Sequence, residues 1–268
     1  MDLGLAGATA VVTGASKGIG RATAECLAAD GARVCIFARG NESRDKAVEA
    51  LRKAGSPDAF GLAVDVGNTG EVEAAFRAIG ERWGELNCLV NTVGPSGAGH
   101  FADLDDQTYF EHYNIGAVSA VRCVRAALPL LRKAEWARIV NVSAHSTKRQ
   151  SPGLISYTAA KSALTSISKN LAKTLGAEGI LVNTVSPGTF LSAIFTENLR
   201  PILAKRGLDA EDPYDAMKFI EETYGHPVDL RRAGKVEEIG CVIAFLVSRR
   251  NSYMTGANVN VDGGSDFC

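Results

Sequence analysis

Short runs of β-branched and apolar residues alternate along this chain with longer stretches whose apolar positions recur at helical spacing. Residues 8–13 (ATAVVT) predict a buried strand, and residues 19–29 predict a helix with Ala22, Cys26 and Leu27 at helical spacing. The same reading gives strands over 33–38, 60–64, 86–91, 138–143, 180–185 and 258–261. Helices fall over 43–54, 69–83, 117–132, 157–175 and 235–247. Strands that are continuously apolar are buried on both faces, and helices between them imply a parallel sheet covered on both sides. The expected fold class is α/β: one doubly wound, parallel, seven-stranded sheet in a single domain.

One segment, 190–232, breaks the alternation. Apolar helix-like pieces at 194–203 and 217–224 are interrupted by Pro201, Pro213 and Pro227. This predicts a helical excursion over the sheet and not a second domain. Long excursions in compact domains are often substrate lids. Phe190, Leu191, Ile194, Phe195, Leu199, Met217, Phe219 and Tyr224 are therefore candidate pocket residues. Packing of the excursion onto the domain, or a subunit interface, explains the same residues equally well.

Composition narrows the partners. The 268 residues carry 29 basic and 30 acidic side chains, a net charge of −1, with 46% hydrophobic residues. That balance suits a soluble globular enzyme and gives no reason to expect nucleic acid or an anionic membrane as partner. Six cysteines (Cys26, Cys35, Cys88, Cys123, Cys241, Cys268) and four histidines (His100, His112, His145, His226) are scattered without metal-ligand spacing, so no metal site is expected. No continuous apolar stretch reaches the roughly 18 residues of a membrane helix. The first apolar run lacks a basic flank, and a cytoplasmic protein is expected.

Between the first strand and first helix lies Thr13-Gly14-Ala15-Ser16-Lys17-Gly18-Ile19-Gly20, a TGxxxGxG turn. Glycines let the backbone turn tightly and let phosphates approach, and the helix N-terminus offers free N–H groups. Such a turn is either a nucleotide cradle or a plain strand–helix connection. A nicotinamide–adenine dinucleotide site of NAD type needs an acid at the end of the second strand. That position holds Ala38, followed by Arg39, and Lys17 sits nearby in the turn. Two cations and no carboxylate favour NADP(H) over NAD(H), unless both are merely solvated surface charges.

Tyr157 and Lys161 are four residues apart and share one face of the expected helix. An ammonium near a phenol lowers its pKa, which suits proton transfer to a carbonyl oxygen, although this spacing also arises in surface helices. Ser143 ends a strand, where ligands bind in an open α/β sheet, and Asn114 can supply an amide or hold a water in the same cleft.

Together, TGxxxGxG, Asn114, Ser143 and Tyr157-x-x-x-Lys161 resemble the short-chain dehydrogenase/reductase family in its compact single-domain form. The resemblance covers nearly the whole chain, and residues 232–264 are similar to bacterial 3-oxoacyl-carrier-protein reductases. It implies cofactor contacts from Gly14, Ser16, Lys17, Gly18, Ile19, Gly20, Arg39, Tyr157 and Lys161. Asp65 and Val66 resemble the adenine-contacting pair, and Pro187, Gly188 and Thr189 resemble the turn that meets the nicotinamide carboxamide. The family's NNAG turn is here Asn91-Thr92-Val93-Gly94, with Asn91 and Gly94 kept beside the ribose, and Ser192 stands where a threonine usually touches the cofactor.

The resemblance also implies catalytic roles. Tyr157 exchanges the substrate proton, Lys161 lowers the Tyr157 pKa and bonds the ribose, Ser143 orients the carbonyl, and Asn114 holds a water leading to solvent. The favoured activity is NADPH-dependent reduction of a ketone, such as a 3-oxoacyl thioester. Alternatives are a secondary-alcohol dehydrogenase for a steroid, polyol or sugar, and a non-catalytic NADP-binding module. A homotetramer or homodimer is expected on the resemblance alone.

Overall fold

The structure, a computed structural model, describes residues 2–97, 99–225 and 227–265; the Ile194 side chain, His226 and Cys268 lie outside the described residues. The first half runs β1 (Thr9–Thr13), α1 (Gly18–Ala29), β2 (Arg33–Phe37), α2 (Asn41–Ala54), β3 (Ala59–Leu62), α3 (Thr69–Trp83) and β4 (Cys88–Asn91). Next come α4 (Asp106–Tyr113), a π turn (Asn114–Val118), α5 (Ser119–Leu131), β5 (Ala137–Val142), α6 (Ile155–Leu175) and β6 (Ile180–Pro187). The chain continues through β7 (Phe190–Leu191), α7 (Ala193–Ala204), α8 (Pro213–Tyr224) and β8 (Gly234–Lys235) to α9 (Val236–Val247) and β9 (Asn258–Val261).

The main sheet has seven strands in the order β3-β2-β1-β4-β5-β6-β9. Every neighbouring pair is parallel. Successive residues of β1 point to opposite faces, so Ala10 and Val12 join the core that holds Leu27 of α1 and Ile243 of α9, while Val11 joins the one that holds Phe76 of α3 and Val124 of α5. Helices α1 and α9 approach closely because Gly240 has no side chain; a Cβ there would lie 2.9 Å from the Ala22 carbonyl carbon. The strand order reverses between β1 and β4, which opens a crevice at their C-terminal ends.

Two elements depart from the sequence reading. The helix expected over 117–132 begins earlier, because α4, the π turn and α5 form one rod from Asp106 to Leu131. By length and composition that rod is apolar enough to span a membrane, which the continuous-run criterion missed; half of its apolar window is buried inside the molecule. The excursion, in turn, forms a small core of its own, where Leu203, Ala210 and Phe219 pack with Leu199, Leu208 and Ile220. Leu199, Met217 and Phe219 fill packing positions, while Phe190, buried in the main core, also borders a small hollow with Thr189 and Asp262. Strand β7 pairs with β8, Phe190 beside Gly234, and so pins the start of the excursion to its end.

Candidate active site

The turn after β1 is shaped by steric necessity. Gly14 and Gly18 adopt φ of +67° and +62°, the left-handed region. A Cβ on Gly20 would lie 2.7 Å from Thr92 Oγ1 and 2.8 Å from the Gly14 carbonyl oxygen. Thr92, the departure from the family turn, has a clear structural role. Its Oγ1 donates to the Thr13 carbonyl at 2.5 Å, and its N–H donates to Thr13 Oγ1 at 3.1 Å. The threonine thus locks the turn after β4 to the turn after β1.

A cleft of about 610 Å³ opens from Gly14, Ser16 and Lys17 past Arg39 and Ser43 to Asp65, Val66 and Gly94. A second cleft of about 230 Å³, sharing Gly14, Lys17 and Thr92, continues past Gly18, Ile19 and Gly20 to Val142 and Ser192. Lys17 and Arg39 line this cleft together with Asp65 and Glu111, and neither cation is held in an ion pair among the described residues. Asp65 is turned inward, where its Oδ1 accepts from the Gly67 N–H at 2.8 Å. A glycine-floored cleft beside a helix N-terminus fits the pyrophosphate of a dinucleotide.

Not every expected contact faces this cleft. Asn91 is buried, and its Nδ2 donates to Asn141 Oδ1 at 2.8 Å, while Asn141 in turn donates to Ser168 Oγ at 2.9 Å. Its side chain ties β4 to β5 and α6 beneath the cleft. Gly94 lines the cleft, and a Cβ there would come within 3.1 Å of Lys161 Nζ. The Pro187 carbonyl accepts from His145 Nδ1 at 3.0 Å, a contact with no sequence signal, since it joins residues 42 apart. At Gly188 a Cβ would lie 2.7 Å from Asp262 Cα, and Thr189 borders a smaller hollow beside Asp262.

Tyr157 and Lys161 project from the first two turns of α6. Lys161 is buried, and its Nζ donates to the Val142 carbonyl at 2.7 Å and the Val93 carbonyl at 3.4 Å. Burial pushes its pKa down to about 8. Burial also pushes the Tyr157 phenol up to about 12. The expected lowering of Tyr157 by Lys161 is therefore absent from the protein alone: the amine is committed to two backbone carbonyls, and loss of water around the phenol dominates.

Ser143 also differs from expectation. It lies beside Lys161, but its Oγ donates to the Lys161 carbonyl at 3.1 Å and sits 2.8 Å from Thr165 Oγ1, turned into α6. Thr165, one turn after Lys161, had no signal beyond an ordinary helical threonine. Asn114 opens the π turn, and its Oδ1 accepts from Arg122 Nη2 at 2.6 Å. No hydrogen bond joins the Asn114 side chain to Lys161 among the described residues.

Residues 14–266 match the family model described as Enoyl-(Acyl carrier protein) reductase. The chain is 33% identical over 262 residues to the 3-oxoacyl-[acyl-carrier-protein] reductase FabG of Pseudomonas aeruginosa, with 98% of each covered. An L-sorbose reductase from Gluconobacter frateurii, complexed with NADPH and L-sorbose, superposes with a TM-score of 0.92 at 26% identity over 100% of both chains. An actinorhodin polyketide ketoreductase with NADPH superposes with a TM-score of 0.86 at 28% identity over 97% of both chains. Sequence relatives and solved structures agree over nearly the full length, and the chain belongs to the short-chain dehydrogenase/reductase family, as a compact NAD(P)-dependent oxidoreductase similar to 3-oxoacyl-carrier-protein reductases.

Proposed function

We propose that the protein uses NADPH to reduce a ketone, with Tyr157 as the proton donor. The observation that carries this reading is the cleft floored by the glycine turn and lined by Lys17 and Arg39, with no carboxylate at the end of β2. The Tyr157 phenol, pushed up to about 12 by burial, is protonated at neutral pH, as a free phenol is. A protonated phenol can donate to a carbonyl oxygen. Bound in the cleft, the cofactor supplies the hydride that the carbonyl carbon accepts. Lys17 and Arg39 hold its 2′-phosphate, and the amide-rich turn after β1 holds the pyrophosphate. Pro187, Gly188 and Thr189 meet the carboxamide, and Lys161 bonds the ribose. Ser143 rotates about χ1 from Thr165 toward the substrate oxygen and orients it. Asn114 holds a water on the path that returns a proton to Lys161.

The substrate class is a 3-oxoacyl thioester or another ketone, in line with the named activities of the relatives. Residues 190–232 form the substrate lid, with Leu191, Phe195 and the half-exposed Tyr224 left as side chains able to meet substrate. The working unit is a homotetramer or homodimer, and a cytoplasmic location suits the free thiols of Cys26, Cys35, Cys88, Cys123 and Cys241. The test is consumption of NADPH by the purified protein given a short 3-oxoacyl thioester, with NADH and L-sorbose in parallel. Turnover with NADPH on either carbonyl supports the reading. Turnover confined to alcohol oxidation overturns it.

A further inference from the structure

Asn114 and Arg122 are eight residues apart. In an uninterrupted α-helix, steps of about 100° per residue put such a pair about 80° apart around the axis. The π turn Asn114–Val118 holds one residue more than an α turn. That extra residue takes back about 100°, leaving the two within about 20° of one face. Helical side chains lean toward the N-terminus, and an arginine is long enough to reach back over two turns. The result is the 2.6 Å bond from Arg122 Nη2 to Asn114 Oδ1.

The same guanidinium makes a second bond. Its Nε donates to Thr69 Oγ1 at 3.0 Å. Thr69 opens α3, immediately after the loop that carries Asp65 and Val66 along the cleft wall. That loop already rests on the π turn: a Cβ on Gly67 would lie 3.0 Å from Ile115 Cδ1 and 3.7 Å from Asn114 Nδ2. The remaining nitrogen, Nη1, is buried with no hydrogen-bond partner among the described residues. A buried unpaired donor costs stability, so a purely stabilising role does not account for this arginine.

We propose that Arg122 is a positioning residue that couples the Asp65–Val66 side of the cofactor cleft to Asn114. Occupation of that side by the cofactor's adenosine portion orders the loop. The Thr69–Arg122–Asn114 chain carries that order to the π turn and fixes the orientation of the Asn114 amide. This inference rests on the proposed role of Asn114 in proton return.

The experiment measures kcat against pH and the KM for NADPH in Arg122→Met, Thr69→Val, Asn114→Ala and the double variant Arg122→Met/Asn114→Ala. Thr69 is exposed, so Thr69→Val leaves the fold intact while removing only the loop-side bond. Arg122→Met is expected to raise the KM for NADPH and lower kcat, each about three- to tenfold. It moves the alkaline limb of kcat to lower pH, where proton return becomes limiting, and Thr69→Val moves it the same way by less. The double variant has the kcat of Asn114→Ala alone, because the two residues act as one unit. A defect in Asn114→Ala with wild-type kcat, KM and pH profile in Arg122→Met and Thr69→Val overturns the coupling, as do multiplying losses in the double variant. An unchanged Asn114→Ala overturns instead the role given to Asn114.

Discussion

At the scale of single residues, the site is governed by what burial does to two ionisable groups. Tyr157 is held neutral and Lys161 is driven toward neutrality, its pKa falling from 10.5 to about 8. Below about pH 8 Lys161 is protonated in both the folded and unfolded chains. Between about 8 and 10.5 the unfolded chain binds the proton and the folded chain does not. The Lys161 contribution to stability therefore grows through that window, against the loss from Cys26, Cys35, Cys88 and Cys123, whose thiols burial pushes up, so Lys161→Met is expected to steepen the fall in stability between pH 8 and 10 in urea titrations. Cofactor choice is also decided here. Arg39→Ala with Lys17→Ala is expected to cut kcat/KM for NADPH about ten- to a hundredfold while leaving NADH nearly unchanged, a comparison made by initial rates. That Tyr157 and Lys161 share one face of α6 was legible from their spacing of four residues. Their pKa directions were not, because burial and the carbonyls of Val93 and Val142 come from distant strands. The inward turn of Ser143 was equally invisible, since Thr165 competes for it only after α6 docks on β5.

At the scale of elements, the turns after β1 and β4 act as one part. Gly20→Ala forces a methyl against Thr92 Oγ1 and the Gly14 carbonyl. It is expected to lower the Tm and weaken NADPH binding at least tenfold by calorimetry, whereas Gly176→Ala, with nothing within 4 Å, is expected to be neutral or better. Helix boundaries were legible where a cap announces them: Asn68 accepts from the Gly70 and Glu71 N–H groups, and the helix expected at 69–83 is the one found. Helix α4 was not legible. Its large apolar side chains, Phe110 and Tyr113, are exposed, and only His112 is buried, so no core-facing stripe marks it. The π turn was hidden for a related reason. It changes helical phase without changing composition, and it shows in the Ser119 N–H that donates to the Asn114 carbonyl five residues back.

At the scale of the whole molecule, the continuous apolar strands specify the doubly wound sheet, and the sheet order places the cleft where β1 and β4 diverge. The glycine turn, Arg39, Asp65, Val66 and Gly94 then arrive from the C-terminal ends of strands, and Tyr157 and Lys161 from α6. The lid was legible as an interruption, but the fate of its apolar residues was not: α7 and α8 use Leu199, Leu203 and Phe219 for each other. Phe101 and Phe110 remain 75% and 68% exposed, as surfaces covered in an oligomer would be in an isolated chain. Light scattering is expected to give two or four times the 28.2 kDa chain mass, and a clean monomer contradicts that assembly. The central claim is that Tyr157 delivers the substrate proton. Its most direct test is Tyr157→Phe, assayed for ketone-dependent NADPH oxidation alongside NADPH binding. A loss of about 10²-fold or more in kcat with the NADPH Kd unchanged is the predicted result; near-wild-type kcat contradicts the account.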